Sequence, residues 1–326
     1  MDRTTKTELT SAIGMTGTPP MTNALRTPED RFADLPGFGW QPNYIDSLPG
    51  YAGLRMAYID EGAADAAQVF LCLHGQPSWS YLYRKMIPVF LGSGARVIAP
   101  DLFGFGRSDK PVDDAVYGFH FHRNALLQLV EALDLRHITL VCQDWGGLLG
   151  LTLPVDTGFA QRLDRLLVMN TTLAIGTPPN DAFLAWRSFS RANPDLAVAA
   201  LMKMATPILS DEEATAYEAP YPDARYKAGV RTFPDLVMVE PHQEGVAESL
   251  AAATFWRDQW AGKSFMAIGA ADPILGSPAM TALHAGIRGC PPPLVLEHAG
   301  HFVQEWGEEI AEAAIASFYE HEPAAI

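Results

Sequence analysis

Short runs of continuous apolar residues alternate with helical periods along most of this chain. No other feature limits its fold as strongly. Residues 69–73, 97–99, 138–141, 166–169, 265–268 and 294–296 are apolar at nearly every position, as strands buried on both faces must be. Residues 54–60 instead alternate, as a half-exposed edge strand does. Helical periods cover 81–90, 121–133 and 311–319. Strand and helix in alternation predict an α/β fold, with a mostly parallel central sheet flanked by helices.

The alternation fails over residues 171–248, where Pro-punctuated helical pieces occupy 181–191, 194–206 and 211–217 and no strand is evident. The expected organisation is therefore a core domain of 21–170 and 249–326, with 171–248 inserted as a helical cap over the carboxyl ends of the strands. The sheet resumes at Ser264. Residues 1–20, rich in Thr, Gly and Pro, read as a disordered extension, and Met21 is an alternative start.

Composition excludes several function classes. With 23 Lys+Arg against 38 Asp+Glu, the net charge is −15. Such a surface lacks the basic patch that nucleic acid or an anionic membrane requires. No apolar run approaches the roughly 20 residues of a membrane span. Arg3 and Lys6 are followed by no apolar stretch of the kind found in a secretory signal. Cys72, Cys142 and Cys290 form an odd set at spacings that suit no zinc site, which points to a reducing, cytoplasmic setting.

The strongest chemical signal is Leu140-Val141-Cys142-Gln143-Asp144-Trp145-Gly146-Gly147: a buried strand, a polar residue, two glycines and an apolar helix. This is the pattern of a nucleophile elbow, the sharp strand-to-helix turn of α/β-hydrolases. Asp144 stands at the nucleophile position, and Cys142 replaces the usual first Gly. An Asp that merely caps the following helix has the same local sequence. His301 follows the last strand in His298-Ala299-Gly300-His301-Phe302, where this fold presents its base. Asp272 follows 265–268, where the residue orienting that base belongs. A solvated loop histidine and a structural Asp-Pro turn are the bland alternatives. The chain order of nucleophile, acid and base nevertheless matches the fold. His74-Gly75-Gln76-Pro77 supplies the remaining part: the backbone N–H groups of Gln76 and Trp145 are the expected oxyanion hole.

These residues make the chain resemble the haloalkane dehalogenases of the α/β-hydrolase superfamily over about residues 21–321. Trp79-Ser80-Tyr81-Leu82-Tyr83-Arg84, Asp101-Leu102-Phe103-Gly104-Phe105-Gly106-Arg107-Ser108 and Gly300-His301-Phe302-Val303-Gln304-Glu305 carry the likeness with the motifs above. It is closest to the subfamily with two halide-binding tryptophans and a late catalytic acid, here Asp272. The resemblance implies hydrolysis of haloalkanes to alcohol and halide with no metal or organic cofactor. It implies halide binding by Trp145 and Trp186, and a pocket lined by Leu148, Phe183, Phe233, Pro234, Val237, Ile274 and Leu275. The implied partners are a small apolar halogenated substrate and the halide ion, and a monomer is expected. At Gln76 relatives often carry an acidic or amide side chain, so only its backbone role transfers.

Elementary chemistry agrees with this reading. An Asp carboxylate is ionised at pH 7 and attacks a saturated carbon without a base, giving an alkyl ester. The halide leaves as an anion and needs N–H donors, which an indole supplies. His301, oriented by Asp272, then activates water to hydrolyse the ester. The nearest rival is an epoxide hydrolase, which shares the Asp nucleophile but needs lid tyrosines as acids; Tyr217, Tyr221 and Tyr226 are the candidates. Fluoroacetate dehalogenation is disfavoured because Trp145, not an arginine, follows the nucleophile. Asp144 disfavours a serine esterase. A non-catalytic receptor on the same fold is the rival of another class, and the intact Asp144, Asp272 and His301 argue against it. A nicotinamide enzyme is disfavoured because Gly104-Phe105-Gly106 lacks a third glycine.

Overall fold

In the computed structural model, residues 22–319 are described; the expectations for residues 1–20 and for a start at Met21 lie outside them. Eight strands form one sheet: β1 (Asn43–Ile45), β2 (Met56–Glu61), β3 (Val69–Leu73), β4 (Arg96–Pro100), β5 (Ile138–Cys142), β6 (Leu163–Met169), β7 (Lys263–Gly269) and β8 (Leu294–Leu296). Their order is β8-β7-β6-β5-β3-β4-β2-β1. All neighbours are parallel except β1 with β2 and β2 with β4. β3 and β5 pair along their whole length and are buried at every position. That burial is why both are apolar runs without alternation.

Three details depart from the sequence reading. Residues 54–60 were expected at the edge, but β2 lies inside the sheet, and the three-residue β1 covers its outer side. A strand so short carries no readable period. Residues 81–90 do not form one helix: a 3₁₀ turn, Ser80–Tyr83, precedes a separate helix, Ile87–Gly92. Pro88 is the cause, because proline has no N–H to donate and is tolerated only in a helix's first turn. Ala24–Leu25 and Lys110–Pro111 also form a small antiparallel ribbon.

Between β6 and β7 the described residues contain helices and no strand. Asp181–Ala192, Val198–Ala205 and Asp211–Glu218 match the expected pieces, and Ala228–Leu236 and Val246–Thr254 add two more. Ser210 and Glu213 close a reciprocal capping box that starts Asp211–Glu218. Ala228–Leu236 escaped notice because Gly229 and Pro234 lower its helical signal. The loops at the carboxyl ends of β3, β5, β6, β7 and β8 face this helical layer across one cavity, where ligands of open α/β sheets are held.

Candidate active site

Asp144 is the first residue after the β5–helix turn, and its φ is +50°. Non-glycine residues rarely take this left-handed conformation, and it persists only where its surroundings enforce it. Here the Asp144 N–H donates to the Asn170 carbonyl at 2.9 Å, and Thr171 Oγ1 donates to the Asp144 carbonyl at 2.8 Å. The turn is tight enough to exclude side chains. A Cβ on Gly146 would lie 1.9 Å from the Leu73 carbonyl oxygen, and one on Gly147 2.1 Å from Thr171 Oγ1. On Gly75 it would lie 2.2 Å from Asp144 Oδ1.

His301, Asp272 and Asp144 come together as a triad. His301 Nδ1 lies 2.8 Å from Asp272 Oδ2, and Nε2 lies 3.5 Å from Asp144 Oδ2. The side chains of Asp144 and His301 are 15% and 17% exposed, whereas that of Asp272 is sealed at 0%. Asp144 and His301 therefore reach the cavity, and Asp272 holds the imidazole from behind. Asp272 Oδ2 also accepts from Asn170 Nδ2 at 3.0 Å, and Oδ1 accepts from the Ile274 N–H at 2.8 Å. Burial alone would raise the pKa of Asp272, but the His301 charge and these hydrogen bonds hold it well below the usual carboxylate range. For His301, burial works downward, yet Asp272 and Asp144 outweigh it and push the imidazole up to about 10.

The Gln76 N–H donates to Asp144 Oδ1 at 2.8 Å, so the β3 loop backbone holds the carboxylate. The Gln76 side chain turns away and donates to the Val230 carbonyl at 2.9 Å. It thereby ties the β3 loop to the inserted helices.

The cavity measures about 600 Å³, and its wall includes Asp144, Trp145, Trp186, His301 and Gln76. Leu148, Phe183, Pro234, Val237, Ile274 and Leu275 also line it, as the resemblance implies. Phe233 does not. It is fully buried behind Trp145, with ring centroids 4.7 Å apart, and it packs against Phe105 and His122. On their helix, Pro234 points to the cavity and Phe233 to the core.

Five of the seven tryptophans fall into two groups. Trp79, Trp256 and Trp260 donate their indole N–H to Ala216 O, Leu151 O and Ser264 Oγ. Those of Trp145 and Trp186, both on the cavity wall, find no acceptor among the described residues. The tyrosines that would serve an epoxide hydrolase are elsewhere. Tyr217 donates to Glu305 and accepts from Arg84, and the Tyr221 hydroxyl donates to the Pro77 carbonyl at 3.2 Å. Both are buried, and none of Tyr217, Tyr221 and Tyr226 lines the cavity.

Two residues of the site were not singled out in the sequence. Asn170 holds Asp144 through its carbonyl and Asp272 through its side chain. Gln143 is fully buried against His301. Asn170 had one available signal, its place directly after β6, the location shared by the other site residues.

Residues 68–308 match the family model of the α/β hydrolase fold. Strand order, elbow and triad define the chain as an α/β hydrolase. The haloalkane dehalogenase of Psychrobacter cryohalolentis is 40% identical over 305 residues, 91% of this chain and 98% of that protein. That of Mycobacterium marinum is 41% identical over 304 residues, 90% of this chain and 99% of its own. Among solved structures, the tetrameric haloalkane dehalogenase DpaA of Paraglaciecola agarilytica NO2 is 55% identical with a TM-score of 0.89; the match covers 91% of this chain and 99% of that one. This chain belongs to the haloalkane dehalogenases.

Proposed function

We propose that this protein hydrolyses carbon–halogen bonds of apolar haloalkanes at the Asp144 carboxylate. The observation that carries this reading is the pair of unclaimed indole N–H groups, Trp145 and Trp186, on the wall of an apolar cavity floored by a carboxylate. Buried donors normally have partners. Two left open beside a nucleophile suit a leaving anion.

An Asp144 oxygen attacks the carbon, a C–O bond forms, and the C–X electron pair leaves with the halide, held by Trp145 and Trp186. Asp144 is then a neutral ester. His301 takes a proton from water while the oxygen attacks Cγ, and the Gln76 and Trp145 N–H groups hold the resulting oxyanion. Collapse expels the alcohol, which takes the proton back from His301. The new Asp144 carboxyl loses a proton, so haloalkane and water become alcohol, halide and H⁺. Asp272 keeps the imidazole oriented throughout.

In this reading residues 171–248 are a cap on a core whose described residues are 22–170 and 249–319, because both sides supply cavity walls. A cavity of about 600 Å³ lies within the range of drug-sized ligands, so substrates longer than a few carbons fit. The epoxide-opening alternative loses support because Tyr217 and Tyr221 are buried in other contacts and Tyr226 does not line the cavity. We place the protein in the cytoplasm on its three unpaired cysteines. We assign it the tetramer of its 55% identical relative rather than a monomer.

The test is halide release from a panel of chloro- and bromoalkanes, run beside one epoxide, for the wild type and Trp186→Phe. Phenylalanine keeps the ring and deletes the donor, which costs about 3 kcal/mol, or a hundredfold or more in rate. The loss is larger for chloride, the poorer leaving group. Wild-type dechlorination by Trp186→Phe together with epoxide opening overturns the reading.

A further inference from the structure

Gln143 precedes the nucleophile, and its amide is fixed by its neighbours. Its Nε2 lies 3.0 Å from the His301 carbonyl oxygen, which can only accept, so this atom is the NH₂ end. Its Oε1 accepts from Gln304 Nε2 at 3.4 Å. One amide hydrogen serves the His301 carbonyl, and the same Nε2 lies 3.1 Å from His301 Nε2. The ring nitrogen that must take a proton from water therefore faces a donor. It can satisfy that donor only when it carries no proton itself.

The charged groups facing the imidazole are Asp272, after β7, and Asp144, after β5. Asn170, after β6, and Phe302, with its ring 4.9 Å from the imidazole, are uncharged. Glu305 turns away into its pairs with Arg84 and Lys85. At rest both aspartates favour a proton on His301. Once Asp144 is esterified, one of the two charges is gone, and hydrolysis requires the neutral ring.

We propose that Gln143 is a positioning residue that holds His301 in its neutral, Nδ1–H form in the ester intermediate, so that Nε2 is ready to accept a proton from water. The proposal rests on the covalent two-step reading above. Displacement of halide needs no base, so Gln143 bears on the second step and not on the first.

The experiment is rapid-quench kinetics on the full-length protein with a bromoalkane, following halide burst and ester decay separately from pH 6 to 10. Gln143→Glu replaces the donor with an acceptor of the same shape. It should keep the burst within about twofold and move the pH midpoint of ester decay upward by a unit or more. Gln143→Met removes the donor without adding an acceptor and should move the midpoint in the same direction by less. If the variants slow both steps equally, or slow decay with no change in its pH midpoint, Gln143 is only packing and the proposal fails. If His301→Gln retains no alkyl mass on Asp144, the two-step reading itself is overturned.

Discussion

Asp144 combines a strained backbone with a carboxylate held by the Gln76 N–H, and its free oxygen turns toward His301. Removing the base should therefore uncouple the two steps rather than stop the enzyme. His301→Gln is expected to release about one halide per active site and then stall with the alkyl group retained on Asp144, visible as added mass on the intact protein. Sustained turnover by this variant would contradict the role given to His301. In the proposed mechanism the same residue changes its proton affinity through the cycle. With Asp144 and Asp272 both charged, the imidazole is pushed up to about 10 and holds a proton at neutral pH. Esterification removes one of those charges, which favours release of the proton at the point where a base is required.

At the scale of elements, a buried ion cluster joins three segments that would otherwise be independent. Arg84, after the 3₁₀ turn Ser80–Tyr83, makes a bidentate pair with Glu305 at 2.7 Å through each nitrogen. It also reaches Glu213 at 2.8 Å on the helix Asp211–Glu218, whose Tyr217 donates to Glu305. Glu305 lies four residues beyond His301, so the cluster ties the base's loop to the inserted helices. Arg84→Met leaves Glu305 with the Tyr217 hydroxyl and one cation, Lys85, which is 3.0 Å away, and should cost roughly 3 kcal/mol, as breaking one side of a buried pair does. Urea denaturation measures it. Arg84→Met with Glu305→Leu should recover much of the loss, because no buried charge is then left unpaired. A single variant as stable as the wild type would show that the cluster contributes nothing.

For the whole molecule, several apolar side chains of the inserted segment are exposed, Met204 at the cavity and Ile208 in the turn after Val198–Ala205. Phe189 is 48% exposed, Met204 71% and Ile208 53%. Where such residues join into one contiguous patch, they mark an interaction surface. If the chain assembles as proposed above, light scattering gives four times 35.5 kDa, about 142 kDa. A mass of one chain would return the protein to the monomer expected from its sequence. No helix among the described residues is long and apolar enough to cross a membrane, so these residues are not explained as part of a helical span.

The sequence by itself determined the seven sheet strands that carry apolar runs or alternation, the elbow, and the order Asp144, Asp272, His301. Each is encoded locally: burial on both faces removes polar residues from a strand, and a turn without room for a Cβ admits only glycine, as at Gly146 and Gly147. Tertiary structure alone decided what depends on which groups meet. It placed Phe233 behind Trp145 and not on the cavity, buried Tyr217 and Tyr221 away from the chemistry, and set Asn170 between Asp144 and Asp272. It also decided which tryptophans keep an open N–H, since Trp79 and Trp186 differ in nothing but their neighbours. Hydrogen-bond partners more than a hundred residues apart leave no trace in local periodicity.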